Sequence, residues 1–358
     1  MQQQPSLSSS QQANSNHRIL NDQDLKNKYN ATFSKVFQQI YEPSTNITAQ
    51  ALISSLCINN KKRILDIGCG AGGSGFLIAS QMPPDCELFC LDLSPDMLQL
   101  ARERCDILTR EPFSRKIHFV EGSAEKLPFE DETFDAVFSN YSLHVIPNPD
   151  EMLKEVARVL KTGGMSCMSV WGRPEKSPLF TLLQKASTEC KKRFLKEKNS
   201  SEGNNNKVLQ LQNPPPRSQF HLSNLELLRE RVLNTILTYG TLHHEEESAS
   251  MIHGKSVPNN GISTTTITTT LKRKAFSQCL AWYQFQPFQA FNAREFAELN
   301  ILSPDFQQWI QEEEEEGSKE KRTLEILQLL EEMAQQVMMM TNSEPIGNEA
   351  LIVWMKKE

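Results

Sequence analysis

Short apolar runs alternate with helical patterns between residues 61 and 172. Each run has four to six residues and is bounded by glycine, proline or polar residues, which is typical of buried strands. The predicted strands are 64–67, 87–91, 117–120, 134–138 and 165–170. Their alternation with helices predicts an α/β fold built on a doubly wound sheet with parallel strands. Such sheets bind ligands beyond the carboxyl ends of their strands, where the strand order reverses.

A helical pattern precedes the first strand, from about residue 22 to residue 57. Apolar and aromatic residues recur there at every fourth position and form one face: Leu25, Tyr29, Phe33, Phe37 and Tyr41. Ser44 or Thr45 is the predicted cap of a second helix. The aromatic face either packs against the core or covers a pocket beside the glycine-rich segment 68–75. The pattern alone favours neither alternative.

The regular alternation ends beyond Trp171, and the polar and charged stretches that follow predict loops at about 199–218, 247–270 and 311–322. Between these loops lies a segment, 276–296, that is dense in aromatic residues. The predicted organisation has four parts: a disordered tail (1–20), N-terminal helices with the α/β core (21–172), a large cap or insertion (173–345) and a last core strand (346–358).

Composition narrows the classes of function. The hydrophobic fraction is 38% and the formal net charge is -6, and the mean hydropathy is negative. A soluble protein is expected, because no apolar run approaches the ~20 residues that a membrane span needs. The negative charge disfavours general nucleic-acid binding, although a basic patch lies at 191–198. The N-terminus carries no targeting signal, so we expect a cytoplasmic location.

The chain has eight cysteines, and none of them forms a CxxC pair. Several lie inside apolar runs, such as Cys90 and Cys167. Buried thiols in a reducing compartment account for this pattern, and we predict neither disulfides nor a metal site.

The chemistry centres on residues 64–75, where a short strand containing Asp66 runs into Gly68, Gly70, Gly72, Gly73 and Gly75. A tight turn that brings backbone close to a ligand fits this pattern, and two ligands are conceivable. The pyrophosphate of a dinucleotide would suit the loop, but a carboxylate at Asp66 would repel it. Asp66 instead favours a ligand with an ammonium group, such as the amino-acid end of a cofactor.

Polar residues also follow the other predicted strands. Asp92 ends the second strand at a distance from the loop at which carboxylates bind ribose hydroxyls. Ser123 and Ala124 follow the third strand, and Asn140 follows the fourth. Each residue alone is compatible with an ordinary cap or turn. Together, at successive strand ends, they predict one shared crevice.

These segments resemble the class I S-adenosylmethionine-dependent methyltransferases, in particular the type-11 group that includes quinone-biosynthesis C-methyltransferases. The resemblance covers roughly residues 60–172 and the last strand. It is carried by I-L-D-I-G-C-G-A-G (64–72), L-D-L-S-P-D-M-L (91–98), E-G-S-A-E-K-L-P-F (121–129), F-D-A-V-F-S-N-Y-S-L-H (134–144) and R-V-L-K-T-G-G-M (158–165). It implies a Rossmann-like methyltransferase sheet that binds S-adenosyl-L-methionine.

The resemblance also implies roles for individual residues. The methionine part would lie against Asp66, Gly68, Cys69, Gly70 and Gly72. The nucleoside would lie against Asp92 at the ribose, and against Leu93, Met97, Ser123 and Ala124 at the adenine. Asn140 would line the end that faces the sulfonium. Many relatives carry an acid in place of Ser123, so the contact to the adenine amino group would be either weaker or made by backbone groups.

Methyl transfer to a small organic acceptor is the function that this resemblance implies. His144 is the candidate general base, although an ordinary hydrogen-bonded histidine at a helix start explains it somewhat better. The candidate residues for the acceptor pocket are Tyr29, Phe33, Tyr141, Trp171 and His221. Core packing of the cap would explain most of the same aromatic residues.

Three alternatives stay open. The chain could methylate protein or RNA, or it could be a non-catalytic cofactor-binding subunit. A nicotinamide-dependent oxidoreductase is disfavoured by Asp66. No Asn-Pro-Pro-Tyr-like sequence follows the fourth predicted strand, only Asn140-Tyr141-Ser142-Leu143, which argues against methylation of base or glutamine amino groups. The acceptor atom and the oligomeric state are not predicted.

Overall fold

A computed structural model describes residues 19–108, 116–201, 218, 220–248, 263–287, 292–312, 316–340 and 346–358. Its strands are β1 (Arg63–Ile67), β2 (Glu87–Asp92), β3 (Ile117–Glu121), β4 (Phe134–Ser139), β5 (Leu160–Trp171), β6 (Ile236–Ser248), β7 (Ser263–Lys274), β8 (Phe276–Pro287) and β9 (Gly347–Lys357). Its α-helices are α1 (Asp22–Lys28), α2 (Ala31–Val36), α3 (Glu42–Leu56), α4 (Gly73–Ala79), α5 (Pro95–Leu108), α6 (Pro149–Val159), α7 (Pro178–Ser201), α8 (Leu225–Leu233), α9 (Ala293–Asn300), α10 (Pro304–Gln311) and α11 (Glu316–Met340).

Seven strands form one mixed sheet in the order β3-β2-β1-β4-β5-β9-β8. The first five strands in this order pair in parallel. β9 lies between β5 and β8 and is antiparallel to both. The predicted α/β sheet is therefore confirmed. The strand order reverses between β1 and β4, so the carboxyl ends of these two strands open a crevice for a ligand.

Neighbouring residues of a strand point to opposite faces of the sheet, and both faces are covered by helices. Leu65 belongs to an apolar cluster with α6 and α8 on one face. Ile64 belongs to a second cluster with α3, α4 and α5 on the other face. A third cluster joins α7, α9, α10 and α11. β6 and β7 form a separate two-stranded antiparallel sheet.

The helical pattern at 22–57 is divided into several pieces. Asn30 accepts a hydrogen bond from the Phe33 N–H and starts α2. A π-helical turn, Phe37–Tyr41, then leads into α3, which begins at Glu42. The predicted cap of this second helix was wrong. The Ser44 and Thr45 hydroxyls lie inside the helix and donate to the carbonyls of Tyr41 and Glu42.

The C-terminal part differs most from expectation. The aromatic-rich segment contains β8, an edge strand whose only partner in the described sheet is β9. Part of the predicted loop at 247–270 belongs to β7, and part of the loop at 311–322 belongs to α11. Most of the predicted tail (1–20) and of the loop at 199–218 lies outside the described residues. None of the described helices combines the length and apolar character that crossing a bilayer requires.

Candidate active site

A cleft of about 1060 Å³, counting its open mouth, lies at the carboxyl ends of the central strands. The predicted site residues that line it are Gly68, Cys69, Gly70, Asp92, Leu93, Met97, Ser123, Ala124, Asn140, Tyr29 and Tyr141. They come from the glycine-rich loop after β1, from the ends of β2, β3 and β4, from α5 and from the N-terminal helical segment. The strand ends therefore converge on one crevice, as the sequence predicts.

The glycine-rich loop is fixed to the end of β2. The backbone N–H groups of Gly68 and Cys69 both donate to the carbonyl of Leu91, at 2.7 and 3.1 Å. Gly68 has a φ of 71°, and a Cβ at this position would lie 2.1 Å from Ser142 Oγ. Only glycine allows this conformation together with this close approach.

Asp92 connects the loop to the neighbouring strand. Its Oδ2 accepts the Gly70 N–H at 2.9 Å, and its Oδ1 accepts the Ser94 N–H at 2.8 Å. Burial raises the pKa of the Asp92 carboxyl, and these backbone donors oppose part of that rise. Each carboxylate oxygen keeps capacity for a further donor, so Asp92 can bind hydroxyl groups from the cleft.

Asp66 lies behind the loop and is not among the residues that line the cleft. Its side chain shares the face of Ile64, where it is fully buried. Oδ2 accepts a 2.7 Å hydrogen bond from Ser74 Oγ, and Oδ1 has no hydrogen-bond partner among the described residues. Burial raises the pKa of Asp66, the Ser74 hydrogen bond opposes part of that rise and the charge of Asp92 adds to it, so that the pKa is about 7.

The side-chain amide of Asn140 is hydrogen-bonded through both its nitrogen and its oxygen. Nδ2 donates to the Thr45 carbonyl at 3.0 Å, and Oδ1 accepts from Ser169 Oγ at 2.8 Å. Next to it, Tyr141 has a φ of 56°, and its hydroxyl lies 2.8 Å from Thr48 Oγ1. These contacts fix the turn after β4 against α3.

A second, smaller pocket adjoins the cleft. It is lined by Ser44, Thr45, Tyr141, Trp171, Leu179, Gln286 and Asn348. Tyr141 stacks on Trp171 with a centroid distance of 3.8 Å. Trp171, predicted for the acceptor pocket, therefore lies at this smaller pocket rather than at the cleft.

Four other predicted residues do not line either cavity. Gly72 caps α4 with a φ of 90°. Phe33 packs beside Tyr29, with ring centroids 5.2 Å apart. His144 is buried, and its ring centroid lies 6.1 Å from that of Trp171. His221 Nδ1 lies 2.9 Å from the Ser218 carbonyl oxygen.

Several lining residues escaped prediction because they come from helices or from the turn after β4: Phe37, Glu42, Thr45, Asn46, Ser142, Val145, Ile146 and Pro147. Glu42 forms a bidentate ion pair with Arg104, with nitrogen–oxygen distances of 2.6 and 2.7 Å. Arg104 also donates to the carbonyl of Ala71 in the glycine-rich loop. Phe37 belongs to the fourfold aromatic face, for which covering a pocket beside the glycine-rich segment was one of the two alternatives.

Ionisable groups elsewhere in the described ranges do not suggest a metal centre. Their His, Cys, Asp and Glu side chains form no group of three that could hold a metal ion.

Cys69, which lines the cleft, is buried, and its pKa is raised well above the ordinary value by a hydrogen bond with Cys90 and by burial.

Comparison with known proteins gives one domain match. Residues 58–213 match a family model described as a methyltransferase domain. A fatty-acid O-methyltransferase of Mycolicibacterium smegmatis is 42% identical over 103 residues, which are 29% of this chain and 35% of that protein. A demethylmenaquinone methyltransferase of Lactococcus lactis is 38% identical over 101 residues, 28% of this chain and 38% of that protein.

Similarity beyond this region is weaker. A solved phosphoethanolamine N-methyltransferase of Haemonchus contortus is 15% identical, with a TM-score of 0.46, and the match covers 95% of this chain and 60% of that one. The chain spans 35%, 48% and 38% of the lengths of three curated relatives that it matches.

Proposed function

We propose that this chain, whose residues 58–213 match a methyltransferase-domain family model, is a class I S-adenosylmethionine-dependent methyltransferase that transfers a methyl group from S-adenosyl-L-methionine to a small organic acceptor. One observation carries the proposal. The glycine-rich loop and Asp92 are hydrogen-bonded to each other at the ends of neighbouring parallel strands. Ser123, Ala124 and Asn140 line the same cleft.

The residues present fit this cofactor. Oδ1 of Asp66 is buried and unpartnered behind the loop, and a nearby ammonium group of the cofactor would favour the ionised form of this carboxyl. The backbone of Gly68 to Gly70 would hold the methionine part, and Asp92 would bind the ribose hydroxyls. Since Met97 and Ala124 are apolar and almost fully buried, they would enclose the adenine together with Leu93 and Ser123.

The bound cofactor supplies a methyl group that its sulfonium has already activated. The protein therefore has to bind the two reactants, align them and exclude water. Alignment alone can lower a barrier by roughly 7–11 kcal/mol in well-oriented reactions. Asn140 is suited to positioning because Thr45 and Ser169 immobilise its side chain.

Two candidate residues, Tyr141 and His144, give little support to base catalysis. Burial raises the pKa of Tyr141 far above its ordinary value, so its phenol stays protonated at neutral pH. His144 lies outside the lining residues of both cavities, so its role as a general base stays a prediction. A base is needed only if the attacking atom of the acceptor carries a weakly acidic proton.

A small and largely apolar acceptor suits the cleft. Its walls include Leu25, Tyr29, Phe37, Val145 and Ile146. Relatives are named as methyltransferases of fatty acids, demethylmenaquinone and a sterol carbon. These names support the acceptor class and leave the acceptor itself open.

Two measurements test the proposal. Calorimetry should detect binding of S-adenosylmethionine and S-adenosylhomocysteine but not of NAD or NADP; the reverse preference would contradict it. A radiolabelled methyl donor should then be incubated with the protein and a metabolite extract, and the label should enter the small-molecule fraction. Label in protein or RNA would favour those acceptors instead, and cofactor binding without any transfer would favour a non-catalytic subunit.

A further inference from the structure

The wall of the cleft that α3 forms carries an amide which the fold does not use. Asn46 lines the cleft and is half-buried. Its side chain makes no hydrogen bond within the described part of the chain. The same helix is packed into the core through Leu52 and Ile53, so Asn46 is held in place without a ligand. An amide on a rigid element, with its donors and its acceptor unused, is suited to binding a ligand.

Asn46 lies between the glycine-rich loop and the turn after β4. Glu42, one turn earlier on α3, is close to the start of α4, because a Cβ added at Gly73 would lie 2.5 Å from its side chain. The carbonyl of Thr45, the preceding residue, accepts the Asn140 Nδ2 at 3.0 Å. All three α3 residues line the cleft, as positions on one helix face do. Asn46 therefore belongs to the end of the cleft proposed for the methionine part.

The amino-acid end of the cofactor carries two charged groups, an ammonium and a carboxylate. Asp66 and the glycine-rich loop favour the ammonium. The carboxylate needs hydrogen-bond donors, and the described residues that line the cleft include no lysine, arginine or histidine. A carboxylate that leaves water without meeting a counter-charge must be stabilised by neutral donors.

Other side-chain donors at this end already have partners within the protein. They are Thr45, Cys69, Ser74, Asn140, Tyr141 and Ser142. Tyr29 and Ser123 carry further hydroxyl groups, but they lie at the nucleoside end. The Tyr29 carbonyl accepts from Ser94 Oγ at 2.6 Å, and Ser123 follows β3. Asn46 is thus the side-chain donor that remains for the carboxylate.

A carboxylate beside Asn46 could repel that of the cofactor. Glu42 is only 7% exposed and faces the same cleft. Its two oxygens accept from Arg104 at 2.6 and 2.7 Å. Because this ion pair offsets the charge of Glu42, the wall can accept an anionic group next to Asn46.

We propose that Asn46 binds the carboxylate of the cofactor through its Nδ2 donors and selects S-adenosylmethionine over analogues that lack this group. Asn46 is then a specificity-determining residue of the cofactor site. The proposal rests on the function proposed above, since it requires that the cleft holds this cofactor.

Two ligands that differ only in the carboxylate test this role. They are S-adenosylhomocysteine and decarboxylated S-adenosylhomocysteine, and calorimetry measures the binding of each to the full chain. Asn46→Leu keeps the approximate size of the side chain and removes the amide. We expect the ratio of S-adenosylhomocysteine affinity to decarboxylated-ligand affinity to fall about tenfold, as for one lost hydrogen bond to a charged group.

Asn46→Asp provides a second variant with nearly the same shape. The new carboxylate would repel the carboxylate of the ligand and attract its ammonium, so the ratio should fall further than in Asn46→Leu. Gln50→Leu and Gln50→Glu are the matched controls. Gln50 lies one turn later on α3, is exposed and does not line the cleft, so both controls should leave the ratio unchanged.

The affinity ratio separates recognition from general damage to the fold. Such damage lowers both affinities together and leaves the ratio as it is in the wild type. An unchanged ratio in Asn46→Leu would overturn the proposal. So would an equal fall in the Gln50 variants, or a smaller fall in Asn46→Asp than in Asn46→Leu. If Asn46→Leu does not fold, Asn46→Asp decides alone, and its ratio must fall.

Failure of the proposed function is recognised separately. If the wild type binds neither ligand, the proposed function itself is overturned. If the wild type binds S-adenosylhomocysteine and the Asn46 variants keep the ratio, only the role of Asn46 is overturned. A lower ratio together with no methyl transfer to any acceptor would favour a non-catalytic subunit and still support the carboxylate contact.

Discussion

Replacing Asp66 by asparagine should change how stability depends on pH. The Asp66 carboxyl is fully buried, and its pKa is raised from the ordinary 3.8 to about 7. Between these two values the folded chain holds a proton that the unfolded chain has released. A rise in pH therefore favours the unfolded state, and the destabilising effect of Asp66 grows from about pH 4 to about pH 7.

The magnitude follows from the same two values. The whole difference between 3.8 and about 7 corresponds to roughly 4 kcal/mol. Over the practical range from pH 5 to pH 8, the part that develops is roughly 2–3 kcal/mol. The free energy of unfolding of Asp66→Asn minus that of the wild type should therefore increase by roughly 2–3 kcal/mol between pH 5 and pH 8.

Urea unfolding of both proteins at pH 5, 6, 7 and 8 measures this difference. Asp135→Asn is the control. Burial alone would raise the pKa of Asp135, but Lys161 and the backbone N–H groups of Arg63 and Lys62 hold it below the ordinary value. Its effect on stability should thus be constant between pH 5 and pH 8. A pH-independent difference between wild type and Asp66→Asn would refute the reasoning.

Three further predictions concern single substitutions. Asp92→Ala should lower S-adenosylhomocysteine affinity by about tenfold or more in calorimetry, since it removes a charged partner; unchanged affinity would rule out the ribose role. Gly68→Ala should be strongly destabilising, because an added Cβ would overlap with Ser142. Gly163→Ala is the control: Gly163 also has a positive φ, 77°, but no atom lies within 4 Å of an added Cβ, so thermal unfolding should show a loss of only about 1 kcal/mol. Equal effects of the two substitutions would contradict the steric argument. His144→Ala should lower turnover with little change in cofactor affinity, and normal turnover would remove His144 from the mechanism.

The sheet could be predicted where its strands are short, apolar and ended by glycine or aspartate. β1, β2 and β3 satisfy this description, and their bounds lie within one residue of the predicted ones. β4 was placed equally well although it ends at Ser139, whereas β5 begins at Leu160, five residues before its predicted start. β8 does not satisfy the description, because aromatic and polar residues mix along Phe276–Pro287. Its strand conformation depends on pairing with β9, about 70 positions away in the sequence, which local preference does not reveal.

The site was predictable to the extent that strand ends define it. Asp92, Ser123 and Asn140 line the cleft because each follows a strand end. Asp66 sits behind the loop because strand residues alternate between faces, so it points with Ile64 toward α4 while Ile67 lines the cleft. Glu42 and Thr45 depend on how α3 packs against the sheet, and no local pattern encodes that packing.

Three residues of α3, spaced three positions apart, contact residues that line the two cavities. Glu42 reaches the glycine-rich loop through Arg104. The Thr45 carbonyl accepts from Asn140, and Thr48 pairs with Tyr141. A ligand that stiffens α3 from one side lowers the entropic cost of ordering the other side. We therefore expect cofactor binding at the glycine-rich loop to order the turn after β4 as well, because α3 contacts both.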